Sequence, residues 1–149
     1  SLTKIMTLYL LFEALQNRRI TLETRMKVSK VAASRSPSKL YLKPGQTITV
    51  ENAILALVTK SANDVATVVS EHLGGNERNF AKKMTRKAKA IGMKRTIFKN
   101  ASGLPNQAQL STARDMARLG IAIRRDFPQY FKYFNSTSFN WKGRKFRNH

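Results

Sequence analysis

Two apolar helical patterns meet end to end at Lys60-Ser61-Ala62-Asn63-Asp64, and that junction leaves the chain few ways to fold. From Glu51 the residues Ile54, Leu55, Leu57 and Val58 predict a buried helix reaching Lys60. A second helix runs on to His72, where Gly74-Gly75 ends it. Ser61, with Asp64 three residues later, has the chemistry of a capping box, in which a hydroxyl and a carboxylate satisfy free amides at a helix start.

The remaining chain must cover these two helices. Leu2 to Gln16 sets Ile5, Leu8, Phe12 and Leu15 at helical spacing and predicts an amphipathic helix that breaks across Gln16 to Arg19. Asn76 to Ile91, closed by Gly92, predicts a basic amphipathic helix. Thr112 to Arg125 predicts another, led in by Ser111 and stopped near Pro128. Met26 to Lys30 and Thr47 to Val50 alternate like strands that could pair, joined by a loop containing Ser36-Pro37-Ser38 and Lys43-Pro44-Gly45. Phe139 to Phe146 reads as a strand pair around Lys142-Gly143. The expected class is mainly α: a helical cluster with small peripheral β-hairpins.

Composition excludes more than it selects. A chain of 149 residues suits one domain, and no window approaches the roughly 18 apolar residues of a membrane-spanning helix. Without cysteine there is neither a disulfide nor a thiolate metal site, and His72 and His149 are too few for a histidine cluster. Hydrolytic zinc chemistry is not expected. Lys and Arg number 28 against 8 Asp and Glu, a formal +20 that favours polyanionic partners: nucleic acid, an anionic membrane surface or an acidic wall polymer. The cations are scattered, with clusters only at Lys82 to Lys89 and Arg144 to Arg147, which suits a solvated basic surface equally well.

Chemistry is suggested at two places. Ser1 and Lys4 lie three apart at a helix start, so the amine can reach the hydroxyl. A serine hydroxyl needs an adjacent base. Lysine serves only when neutral, and a helix N-terminus in apolar surroundings lowers its pKa. The spacing recurs at Ser36-Pro37-Ser38-Lys39, where no helix follows, so the motif alone is weak. Ser1 could also use its own α-amine as base, and that reading leaves Lys4 unexplained. The second place is the helix junction, where Ser61 could relay a proton and the Asn63 amide could hold a substrate carbonyl. Its bland alternative is a cap followed by a first-turn asparagine, and Ser138-Phe139-Asn140 repeats the tripeptide by chance.

Order and context join the two. Ser1-Leu2-Thr3-Lys4-Ile5-Met6-Thr7, Lys60-Ser61-Ala62-Asn63-Asp64-Val65-Ala66, Phe98-Lys99-Asn100-Ala101-Ser102-Gly103-Leu104-Pro105 and Leu110-Ser111-Thr112-Ala113-Arg114-Asp115-Met116-Ala117 follow in sequence. Together they resemble the low-molecular-mass D-Ala-D-Ala carboxypeptidases, penicillin-binding proteins of the β-lactamase/transpeptidase-like fold. The resemblance implies Ser1 as the acyl-forming nucleophile, Lys4 as its general base, Ser61 as proton relay and Asn63 as a substrate-binding amide. It implies peptidoglycan stem peptides as substrates, β-lactams as covalent inhibitors, no metal or organic cofactor, and an extracytoplasmic or periplasmic location. Gly103 and Leu104 would shape the wall of the site, and Asp115 would cap a helix.

One departure matters. The family's third motif, Lys-Thr-Gly on a core strand, is absent: Lys43-Pro44-Gly45 lacks the hydroxyl and Lys142-Gly143 lacks the middle residue. Residues 1–149 are therefore expected to be a partial catalytic domain, cut at both ends, with most of the central antiparallel sheet lying elsewhere. Alone, the piece is expected to be inactive, poorly folded and to expose apolar faces where that sheet belongs. The rival reading is a basic helical module for nucleic acid, using Lys82, Lys83, Arg86, Lys87 and Lys89 with Lys94 and Arg95. A nucleic-acid partner is the less favoured of the two.

Overall fold

The computed structural model describes residues 3–35, 40–104, 106 and 108–147. The helix junction forms as the sequence requires: α3 (Val50–Thr59) gives way to α4 (Asn63–Gly74) through Lys60, Ser61 and Ala62. All of Asn63 to Ser70 is buried, so α4 is the axis of the molecule. Packed on it are α1 (Thr3–Gln16), α2 (Lys30–Ala33), α3, α5 (Glu77–Ala90) and β1 (Arg25–Lys27).

The first helix departs from expectation. Ten of the fourteen residues of α1 are buried, on every side. It is not amphipathic, because α3, α4, α5 and α6 (Ala113–Asp126) all contact it and a set of aromatic rings closes its far end. Phe12 lies 5.3 Å from the ring of Tyr130, stacked, with Phe127 at 6.0 Å and Phe134 at 6.2 Å edge-on. Phe127 ends α6, and Phe134 comes from a 3-10 helix, Phe131–Asn135, that the sequence pattern did not separate from the loop after Pro128. Tyr9 adds a polar tie, its hydroxyl donating to Asp126 Oδ2 at 2.7 Å.

The two outer helices follow the predicted amphipathic pattern. On α5, Phe80, Ala81, Met84 and Ala88 are buried along one stripe. Asn76 caps its start by accepting from the Asn79 amide. Its end demands Gly92: the Gly92 amide donates to Lys89 O and the Met93 amide to Ala88 O, and the φ of Gly92 is +90. The cap of α6 is Thr112, not Ser111, whose hydroxyl instead lies 3.0 Å from that of Thr96.

Among the described residues the strands make two small antiparallel sheets. In the first, β1 pairs with β2 (Thr47–Thr49) in the register Met26 to Ile48. The expected strand gives way at Lys30 to α2, because the Ser29 hydroxyl caps that helix by accepting from the Ala32 amide. In the second, β3 (Ser138–Trp141) and β4 (Arg144–Arg147) close on Lys142 and Gly143, both at positive φ as a tight two-residue hairpin requires. Phe139 stacks on Phe146 across the pair at 5.8 Å, and the hairpin sits on α3.

The expected exposed apolar face is not evident among the described residues. The exposed large hydrophobics there are Val31, Tyr41, Ile97, Leu110 and Ile121, dispersed over α2, two loops and α6. No described helix is long and apolar enough to cross a membrane.

Candidate active site

Lys4 stands in the first turn of α1 and is only 5% exposed. Its Nζ donates to the Ser102 carbonyl at 2.7 Å. Among the described residues no carboxylate lies within ion-pair distance of it. Burial without a counter-charge disfavours the ammonium and pushes its pKa down to about 8. Geometry and desolvation thus bring the loss of this amine's proton down from 10.5 to about pH 8.

The Ser102 carbonyl is held by a loop that is itself tied on several sides. Thr7, one turn along α1 from Lys4, donates its hydroxyl to Ala101 O at 2.6 Å. Ala101 N donates to Glu77 Oε2 at 3.2 Å, and the other oxygen of Glu77 pairs with Arg35 at 2.7 Å. Within the loop, Asn100 bridges the turn, accepting from Gly103 N at 2.8 Å and donating to Leu104 O at 2.9 Å. Gly103 turns the chain at φ 86, a conformation that side chains rarely adopt. Gly103 and Leu104, expected as wall residues, therefore belong to the loop that orients the lysine.

Ser61 occupies the turn between α3 and α4 at φ 54. A residue with a side chain costs roughly 1–2 kcal/mol there. The capping box expected of Ser61 and Asp64 does not form. The cap position of α4 falls on Ala62, which has no side-chain acceptor, and Asp64 turns inward. There its carboxylate accepts from the amides of Leu40, Leu42 and Val65 at 2.9 to 3.1 Å, fixing the segment that follows α2. Asn63, 4% exposed, is the first residue of α4, where its carbonyl accepts from Thr67 Oγ1 at 3.2 Å. Both Ser61 and Asn63 make further interactions.

Lys4 and the 100–104 loop are therefore joined by hydrogen bonds, and Ser61 and Asn63 stand at the N-terminus of the helix on which α1 packs. Ser1 lies outside the described residues, as do the second Ser-x-x-Lys at 36–39, Pro105 and His149. Thr7, Asp64 and Glu77 were present in the sequence as a helix residue, a presumed cap and a first-turn acid. Nothing in their spacing revealed partners 94, 24 and 24 positions away. Asp115 was expected to cap a helix; its amide is capped by Thr112, and its carboxylate accepts from Arg95 N at 2.8 Å and Thr96 Oγ1 at 2.7 Å. The Thr96 bond first, then the Arg95 amide and nearby Arg118, hold that carboxyl below the usual range. Among the described residues no three acidic or histidine side chains gather as a metal ion would need.

A family model described as D-alanyl-D-alanine carboxypeptidase matches residues 1–149. The D-alanyl-D-alanine carboxypeptidase DacF of Bacillus subtilis is 40% identical over 117 residues, covering 78% of this chain and 30% of its own length. The crystal structure of the D-alanyl-D-alanine carboxypeptidase DacD from Francisella tularensis superposes with a TM-score of 0.93 at 36% identity, over 96% of this chain and 35% of that one. Penicillin-Binding Protein D2 from Listeria monocytogenes, solved in an ampicillin-bound form, gives 0.85 at 29% identity, over 99% of this chain and 60% of its own. The chain spans about a third of the length of the curated relatives it matches.

Proposed function

The chain belongs to the D-alanyl-D-alanine carboxypeptidase family, and from that premise we propose that it supplies the nucleophile, base and relay of a serine carboxypeptidase acting on peptidoglycan stem peptides. The observation that carries this reading is the buried, carboxylate-free amine of Lys4, held by a main-chain carbonyl at 2.7 Å with a pKa near 8. A solvated first-turn lysine would show neither feature.

In the proposed reaction Ser1 Oγ attacks the carbonyl carbon of the penultimate D-alanine as neutral Lys4 takes the hydroxyl proton. The peptide C–N bond breaks, and Ser61 passes a proton to the departing D-alanine amine. Asn63 holds the substrate carbonyl. Water then hydrolyses the acyl-serine and frees Ser1. No cofactor enters the scheme. β-Lactams would acylate the same serine, as suits a family whose Listeria member has been solved with ampicillin bound. The proposed setting is the cell envelope outside the cytoplasmic membrane, where the +20 charge suits anionic wall polymer or lipid surfaces.

We further propose that residues 1–149 are part of a larger catalytic domain, completed by a strand carrying Lys-Thr-Gly, which these residues lack. Its cation would receive the substrate carboxylate. The expected result with a fluorescent penicillin is a covalent adduct at Ser1 of the longer, Lys-Thr-Gly-bearing protein, lost in Ser1→Ala, and no adduct on the 149 residues alone. An adduct surviving Ser1→Ala would refute the assignment of the nucleophile. The nucleic-acid reading of the basic helix is not favoured, because Lys83 donates to Leu73 O and Lys87 pairs with Glu13.

A further inference from the structure

The loop from Lys94 to Lys99 runs between two surface recesses, each walled by four cations. One, of about 410 Å³, has Arg78, Lys82, Arg86 and Lys99 around a floor that includes Ile97 and Phe98. The other, of about 590 Å³, has Lys94, Arg95, Arg114 and Arg118. All eight side chains are exposed, and none forms an ion pair among the described residues. Asp115 is the sole acid lining either recess, and its carboxylate is already engaged by Arg95 N and Thr96 Oγ1.

The helix α5 divides its cations by face. Lys83 and Lys87 are engaged within the molecule, by a carbonyl at 3.0 Å and by Glu13 at 2.6 Å. Arg78, Lys82 and Arg86, four residues apart, turn to the first recess. Like charges so arranged repel, and the repulsion is relieved when a polyanion neutralises them.

We propose that the two recesses form one docking tract for a flexible linear polyanion bearing repeated phosphate groups. The recessed placement selects this partner. A flat bilayer meets the cations that project furthest, and a stiff duplex bridges over hollows, whereas a flexible chain can set one anionic group in each recess and cross the Lys94–Lys99 loop between them. The inference rests on the placement of charge and is independent of the acyl-transfer reading.

The test titrates the intact chain with inorganic polyphosphate at several salt concentrations, beside phosphatidylglycerol vesicles and duplex DNA. Lys82→Ala with Arg86→Ala, and separately Arg114→Ala with Arg118→Ala, should each weaken polyphosphate binding tenfold or more. Each pair should also reduce the slope of log affinity against log salt by roughly 1. Arg25→Ala with Lys27→Ala, an exposed pair on β1, should change affinity less than twofold. Gln replacements at the same positions keep part of each side-chain stem and carry the same expectation, with melting curves confirming the fold. Equal loss from the β1 pair would reduce the effect to net charge and overturn the proposal. So would vesicles or duplex binding as tightly through the same four residues.

Discussion

Lys4 is a cation kept from water with a carbonyl, rather than a carboxylate, as its described partner. Its pKa near 8 lies below the ordinary 10.5, so the sign of the linkage is unusual for a lysine. Below pH 8 both folded and unfolded states carry the proton, and the cost of burying the charge is present in full. Between about 8 and 10.5 the unfolded chain holds a proton that the folded chain has released, so stability rises with pH across that window. The expected outcome is that wild type gains stability relative to Lys4→Met as urea denaturation is repeated from pH 8 to 10.5. A flat difference would mean that Lys4 is not desolvated. Ser61 is strained by its own conformation, at φ 54. Ser61→Gly should therefore be more stable than Ser61→Ala by about 1 kcal/mol, while both lose the hydroxyl proposed as the relay. Thermal melts separate the structural effect from the chemical one, because only the chemical loss is shared.

Among the elements, α1 carries the most consequence, since it presents Lys4 at one end and Phe12 to the aromatic cluster toward the other. Phe12→Ala should cost about 3–5 kcal/mol, read as a lower urea midpoint with little change in slope. Replacement by Leu, which refills part of the space, should cost less. The sequence showed this helix clearly yet misjudged its surroundings: Ile5, Leu8, Phe12 and Leu15 describe one stripe, but Met6, Leu10 and Leu11 are buried as well. A periodic pattern reports which residues are apolar and cannot count the neighbours that will arrive from 100 positions away. The same limit explains Asp64, whose spacing from Ser61 imitated a capping box while its carboxylate served the amides of Leu40 and Leu42. Short elements escaped for a different reason. Four residues of α2 and five of the 3-10 helix are too few to show a period, and each is held by a local cap or by aromatic packing.

At the scale of the whole molecule, helix order, the two antiparallel pairings and the family were legible, because each rests on motifs and periodicities contained within short windows. The support of the proposed base was not legible, since it depends on carbonyls of Ala101 and Ser102, main-chain atoms that every residue possesses. Charge was visible as a total of +20 but not as a distribution. Only folding separates Lys83 and Lys87, bonded to Leu73 O and Glu13, from the cations that ring the recesses. The tether of Lys4 has an evolutionary corollary. Because the acceptor is a backbone oxygen, the bond itself asks for no particular side chain at position 102, where the buried Ser102 hydroxyl only helps set the turn by accepting from Leu104 N at 3.2 Å. Selection to preserve the amine's aim must act instead on whatever governs the path of the loop, above all Gly103, with Asn100 and Thr7 as its fastenings.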